Sequence, residues 1–367
     1  MVEGSSKELP LVLVTGASGY VALHCVKRLL QGPYRVRGTV RSKANSQKVE
    51  PLLRLPNADD KLELVEADLL KTDNWKEVVA GCTYILHVAS PWVIIADPTV
   101  VETAVQGTLT VLKAASETPS VVKVVLTSSC SAVNDGHHNG SRVFDERCWS
   151  DLSSKRIEWY GRSKTLAERT AWQFWNSLPE DSRFALTVLN PTLVFGPVLS
   201  SVDHGCAQIL ARMMKRSTNL AQPKVCLGLV DVRDVAEAHV RSLERRETDG
   251  ERILITAQSA WYSDLAKWLK NEFEQYGYGI TTLEIPDWIL KLYASSGVDP
   301  QAKAVLGRTG PQLTFDNSKS IALLGMEYRR VDKAVVEMMH TMIEQGMVKR
   351  KKKYPTVSPR SNKITVA

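Results

Sequence analysis

Residues 11–22, LVLVTGASGYVA, constrain this chain more than any other segment. A short apolar run ends in a Gly-rich turn, and apolar residues then return at helical spacing over residues 21–30. That order reads strand, turn, helix. Gly16 permits the tight turn, and Gly19 lets the backbone approach an anion such as a pyrophosphate. The helix N-terminus favours that anion through free N–H groups and partial positive charge. The spacing is GxxGxxA, so Ala22 takes the position where the helix packs on the strand, and Ser18, Tyr20 and Val21 join the glycines as ligand-binding candidates.

The same order repeats along the chain. Residues 34–40 alternate like a strand, residues 62–65 and 83–88 supply two more, and residues 99–116 form a helix leading into the β-branched run 121–127. A long helix is expected over 154–176 and a strand over 184–189. Alternating strands and helices with wholly apolar strands mean a parallel sheet covered on both faces. The fold class is therefore α/β, a Rossmann-type doubly wound parallel sheet with a smaller C-terminal substrate-binding lobe. Residues 10–190 make the dinucleotide domain, and 191–346 return strands to the sheet and build the lobe. Strand-like segments at 224–230 and 252–256 lie among helices near 205–215, 232–243 and 264–275.

A net charge of +7 would suit a nucleic-acid or membrane partner were it spread over the body. It is not. Residues 347–367 hold seven basic residues and no acid, leaving 40 basic against 40 acidic residues elsewhere. The expectation is a basic, disordered tail on a neutral body that binds no nucleic acid. No apolar stretch suits a membrane span or signal peptide, so a cytoplasmic protein without a membrane partner is expected. The six cysteines lack ligand spacing, so no metal site is expected.

At the end of the second strand an acid would hold the 2′-hydroxyl of NAD, whereas a cation suits a 2′-phosphate. Arg41 stands there, with Ser42 beside it and Lys48 further on, which points to NADP(H) rather than NAD; the alternative is a solvated loop arginine. Asp68 and Leu69 follow the third strand and are placed to meet the adenine, although Asp68 is equally suited to capping a turn. Val88, Ala89 and Ser90 follow the fourth strand and would run along the cofactor.

The fifth strand ends in Thr127, Ser128 and Ser129, and Tyr160 and Lys164 follow on the long helix. Spacing i, i+4 puts the last two on one face. A phenol is a poor acid–base group near neutrality, but an adjacent ammonium stabilises the phenolate, so Tyr160 is expected to have a lowered pKa and to exchange a proton with a carbonyl or alcohol. A serine from the strand end would hydrogen-bond the same oxygen, and Lys164 would also grip the nicotinamide ribose.

With these residues the sequence resembles the extended short-chain dehydrogenase/reductases, within the wider NAD-dependent epimerase/dehydratase grouping. It is most similar to the dihydroflavonol reductase-like group of plant flavonoid and cinnamoyl-CoA reductases and fungal and animal carbonyl reductases. The resemblance spans about residues 10–346 and rests on VTGASGY (14–20), RGTVRS (37–42), HVASP (87–91), LTSSCSAV (126–133), YGRSKTLAE (160–168), NPTLVFGPVLS (190–200) and DVRDVAEAH (231–239). It implies Ser129, Tyr160 and Lys164 as the catalytic triad and Arg41 with Lys48 at the NADP phosphate. It also implies Pro191, Thr192 and Leu193 beside the nicotinamide and Asn134 in the substrate pocket. Ala22 and Gly228 depart from the pattern. Plant flavonoid reductases carry a larger polar side chain at the latter position, which weighs against a flavonoid substrate.

The expected activity is NADPH-dependent reduction of an apolar aldehyde or ketone by a monomer or homodimer. Ser90 and Trp92 join Asn134 as substrate-pocket candidates, Trp92 being equally suited to the core. Alternatives are hydroxysteroid oxidation, sugar-nucleotide epimerisation or dehydration, and a non-catalytic NADP-binding scaffold. His87 is expected as a core histidine, and Cys130 as a packed small residue.

Overall fold

The computed structural model describes residues 8–90, 97–137, 142–201, 205–215, 221–296, 305–306, 308–310 and 312–356. Strands β1 (Leu11–Val14), β2 (Arg35–Val40), β3 (Leu62–Glu66), β4 (Tyr84–His87) and β5 (Lys123–Thr127) alternate with helices α1 (Tyr20–Leu30), α2 (Ser46–Leu53), α3 (Ala58–Lys61), α4 (Trp75–Val79) and α5 (Thr99–Ser116). Next come β6 (Val143–Phe144), α6 (Trp159–Ser177), β7 (Ala185–Pro191), β8 (Leu193–Phe195), α7 (Gly205–Met213), β9 (Gln222–Pro223), β10 (Cys226–Asp231) and α8 (Val232–Glu244). The chain continues through β11 (Arg252–Ile255), β12 (Gln258–Trp261), α9 (Tyr262–Phe273), β13 (Glu284–Ile285), α10 (Asp287–Ser295), β14 (Thr314–Phe315), α11 (Ser318–Leu324) and α12 (Val331–Glu344).

Seven parallel strands form the main sheet in the order β11-β7-β5-β4-β1-β2-β3. The order reverses between β1 and β4, and the carboxyl ends of strands at such a switch point leave a crevice for a ligand. Strands β1 and β11 are buried along their whole length because helices cover both faces. Helices α1 and α8 pack on one side through Leu23, Val26, Val235 and Ala238, while α5 and α6 pack on the other through Val111, Leu112 and Ala171. A second sheet, β12-β10-β8, carries a separate core with α7, α9 and α12, built from Leu210, Leu227, Leu265, Phe273 and Met338.

Two sequence expectations change. Helix α6 starts at Trp159, not Ser154, because residues 151–157 are taken up by turns: Asp151 accepts from the Ser153 N–H and hydroxyl, and the Ile157 N–H bonds back to the Ser154 carbonyl. The tail is also not free from residue 347. Tyr354 is only 4% exposed, its hydroxyl lies 2.6 Å from His340 Nδ1, and its ring packs with Phe273, Tyr276 and Tyr278. The Tyr278 hydroxyl donates to the Lys349 carbonyl at 3.0 Å. One buried aromatic residue anchors the basic run, while residues 357–367 lie outside the described residues. Among the described residues no helix is long and apolar enough to cross a membrane.

Candidate active site

The Gly-rich turn sits at the switch point. Gly16 has φ +63°, and a Cβ there would lie 2.9 Å from the Ala89 Cβ, so the turn excludes a larger residue twice over. Gly19 opens α1 with no side-chain cap, which leaves the first-turn N–H groups directed out of the helix end. Thr15 ties this turn to β4: its hydroxyl accepts from the Ala89 N–H at 3.0 Å and lies 2.9 Å from His87 Nδ1. Burial, and then the nearby Lys164 charge, pull His87 down to about 3, so the ring is neutral. It is a satisfied core histidine.

Strand β5 delivers Ser129, and α6 delivers Tyr160 and Lys164. The Ser131 N–H donates to Ser129 Oγ at 3.1 Å, so that oxygen accepts one hydrogen bond and its own hydrogen stays available. Burial is the largest influence on Tyr160 and raises it well above a free phenol, with the Ser129 hydrogen bond lowering it in part. The depression expected from Lys164 is not seen: desolvation disfavours the phenolate and dominates. Lys164 is 8% exposed, and burial pulls it down to about 8 while Glu168 raises it. Its ammonium makes no hydrogen bond within the described residues. A lysine so depressed costs stability below pH 8, a cost relieved as pH rises toward the unfolded value, so folding alone does not favour a charged lysine here.

Behind the triad lies a buried polar network. Glu168, one turn beyond Lys164 and 1% exposed, accepts from Ser128 Oγ at 2.5 Å and Asn190 Nδ2 at 2.7 Å, and it pairs with Arg252 Nε. Asn190 also donates to the Ser129 carbonyl at 3.1 Å, and the Arg252 guanidinium lies 3.7 Å from the Trp149 ring. This network joins α6, β7 and β11 to the end of β5 that carries Ser129.

The other sequence candidates divide by what their side chains already do. Arg41 is exposed at the end of β2 and makes no ion pair within the described residues, and Lys48 is half-buried on α2. Asp68 accepts from the Leu70 N–H at 3.0 Å, so its carboxylate caps a turn, and Leu69 packs on Gly107 of α5. The Tyr20 hydroxyl donates to the Gly196 carbonyl, and Thr127 Oγ1 lies 2.7 Å from His239 Nε2, so both side chains are engaged by protein. Ser18, Val21, Val88 and Ser90 are half-buried along the crevice. Pro191 ends β7, the Thr192 N–H bonds the Ile255 carbonyl, and Leu193 begins β8. Asn134 Oδ1 is buried without a hydrogen-bond partner among the described residues. Trp92 lies outside the described residues.

Sequence reasoning missed several residues near Tyr160. The Asp135 Oδ2 sits where a Cβ on Gly161 would be, 2.4 Å from that position, and Arg308 reaches Glu158 at 3.3 Å. Cys206 lies near the phenol, as does Cys130, the packed small residue expected from the sequence, both thiols raised by burial to about 12. No local pattern marks Arg308, which is 150 positions from Glu158. At Gly228 a Cβ would fall 2.6 Å from the Thr192 methyl and 2.8 Å from the Phe315 ring; those two groups fill the space a larger side chain would need.

Comparison with known proteins adds the following. Residues 12–256 match the NAD dependent epimerase/dehydratase family. The chain is 35% identical over 267 residues to cinnamoyl-CoA reductase CAD2 of Medicago truncatula, covering 71% of this chain and 80% of that protein. It is 31% identical over 344 residues to tetraketide alpha-pyrone reductase 1 of Arabidopsis thaliana, covering 91% and 96%. Among solved structures, yeast methylglyoxal/isovaleraldehyde reductase Gre2 complexed with NADPH superposes with a TM-score of 0.75 at 27% identity, covering 92% of this chain and 99% of that one.

Proposed function

This chain belongs to the NAD dependent epimerase/dehydratase family, and on that premise we propose that it reduces the carbonyl of a largely apolar aldehyde or ketone, with Ser129, Tyr160 and Lys164 as its catalytic group. It is an NADP-dependent oxidoreductase acting on small molecules. The residues present fit the dinucleotide: the positive-φ Gly16, the uncapped start of α1 and the Lys164 ammonium, which makes no hydrogen bond among the described residues, are the donors and clearance that a pyrophosphate and a ribose need. Gly16, Gly19 and the α1 N-terminus would hold the pyrophosphate, Arg41 and Lys48 the 2′-phosphate, and Lys164 the ribose hydroxyls. When bound, the reduced nicotinamide supplies a hydride.

The chain's own residues supply the rest. Ser129 and Tyr160 point their O–H groups at one carbonyl oxygen, and their hydrogen bonds strengthen as that oxygen gains negative charge. Tyr160 then gives up its proton to the forming alcohol. A phenol raised by burial is fully protonated at neutral pH, the state that reduction requires. Lys164, still mostly charged at pH 7, stabilises the phenolate left behind. Leu193, Cys206 and Tyr262 pack on the lobe core, and Cys206 lies near the Tyr160 phenol, which supports an apolar substrate.

The observation that carries this reading is a buried Lys164 ammonium, without a hydrogen bond among the described residues, on the same helix as a desolvated Tyr160 phenol that Ser129 acts on. A panel of aldehydes, diketones, flavanonols, CoA thioesters and steroids, followed by loss of NADPH absorbance, tests it. Consumption with one or more carbonyl compounds is expected; none with any of them overturns it.

A further inference from the structure

Ser129 stands where β5 gives way to a tight turn, and its backbone carbonyl is held from two sides. The Ala132 N–H donates to that carbonyl at 2.9 Å, closing the turn, and Asn190 Nδ2 donates to the same oxygen at 3.1 Å from the end of β7. Both lone pairs are thereby used. The Ser129 side chain depends on the same turn, because its Oγ accepts from the Ser131 N–H two residues on. Rotation about the Ser129 ψ, which stands at 155°, would swing the carbonyl and the Ser131 N–H together and release the hydroxyl.

Asn190 is fully buried, and its amide has one workable orientation. Its two N–H hydrogens meet two acceptors, the Ser129 carbonyl and Glu168 Oε2 at 2.7 Å, so a flipped amide would set its oxygen against both. Glu168 is itself held by Ser128 Oγ at 2.5 Å and by Arg252 Nε. The Asn190 Oδ1, by contrast, is buried without a hydrogen-bond partner among the described residues. Leu186, Val188 and Leu189 on the same strand are equally buried and apolar, and an apolar side chain at 190 would avoid that cost. What the asparagine supplies here is its pair of N–H donors.

We propose that Asn190 is a positioning residue for Ser129. Tied to Glu168 on α6, the helix that carries Tyr160 and Lys164, it fixes the Ser129 peptide so that the hydroxyl keeps one place relative to those two side chains. It touches no reacting atom and acts only through Ser129. The role rests on the reading of Ser129, Tyr160 and Lys164 as the catalytic group. A misplacement of about 1 Å in such a hydroxyl can cost on the order of a hundredfold in rate.

A double-mutant cycle in kcat, with a carbonyl compound that the wild type reduces, tests this. Asn190→Ala should lower kcat about tenfold or more with NADPH affinity retained, and Ser129→Ala should lower it about a hundredfold or more. The double variant should be within about twofold of Ser129→Ala, since Asn190 then has no hydroxyl left to position. Losses that multiply, or an Asn190→Ala kcat within about twofold of wild type, overturn the proposal. If Asn190→Ala does not fold, Asn190→Ser takes its place in the cycle; its single hydroxyl hydrogen keeps a donor in the network and cannot serve both acceptors. A crystal structure of the same variant reads the geometry without turnover. The Ser129 Oγ should have left the Ser131 N–H, and an Oγ still at the wild-type 3.1 Å overturns the positioning role. No NADPH consumption by the wild type, or a Ser129→Ala variant as fast as wild type, would count against the catalytic reading instead, and the crystal structure then decides the positioning role alone.

Discussion

Replacing Glu168 by Gln removes one negative charge from the buried network behind the triad and leaves its shape nearly unchanged. The wild-type carboxylate accepts from Ser128 at 2.5 Å and Asn190 at 2.7 Å and pairs with Arg252, both side chains of the pair being 9% exposed or less. Breaking such a pair strands a buried guanidinium, at a cost of about 3–5 kcal/mol. An amide oxygen still accepts, so the low end, about 3 kcal/mol, is expected. At roughly 2 °C per kcal/mol for a chain of this size, the midpoint of thermal unfolding should fall by about 6 °C. The substitution also removes the one influence that raises Lys164, which sits at about 8 in the wild type. Reductive kcat/KM should therefore decline above about pH 8 in the wild type, and the variant's decline should begin at lower pH. Scanning calorimetry and a pH profile at saturating NADPH measure both effects. An unfolding midpoint within about 1 °C of wild type together with an unmoved alkaline limb would refute the assigned coupling.

Arg41→Ala should weaken NADPH by roughly ten- to a hundredfold while barely changing NADH, since a charge-assisted contact to a 2′-phosphate is worth about 1.5–3 kcal/mol; fluorescence titration of both cofactors checks this, and equal losses argue against a phosphate contact. Tyr354→Ala should destabilise the protein by about 3 kcal/mol or more, because it empties an aromatic site and removes the His340 partner. A chain ending at Gly346 should behave likewise in thermal denaturation, and unchanged unfolding in both cases would show that the anchor contributes nothing.

Local spacing made some of this molecule readable before any coordinates. The Gly16–Gly19 turn and the Tyr160–Lys164 pair each lie within one turn of chain, so their geometry follows from helix and turn periodicity alone. Alternating apolar strands likewise announced the parallel sheet. The charged groups around the triad were not readable, because each depends on long-range packing: Arg252 meets Glu168 across 84 positions, and Arg308 meets Glu158 across 150. Nothing in the local sequence distinguishes those arginines from solvated ones. The tail misled for a related reason. Its composition is that of a disordered terminus, and a single tyrosine fitting the pocket between α9 and α12 overrides it. The pKa of Tyr160 also ran opposite to the local argument, since the i+4 ammonium is visible in sequence and desolvation is not.

The central claim is that Tyr160 hands a proton to the carbonyl oxygen, and the Tyr160→Phe variant tests it most directly. The phenyl ring keeps the packing and removes only the hydroxyl. Steady-state NADPH consumption with a carbonyl compound that the wild type reduces, measured beside NADPH affinity, should show turnover nearly abolished and binding close to unchanged. Turnover above about a tenth of wild type, a deficit below the typical contribution of general acid catalysis, would mean that the proton comes from elsewhere.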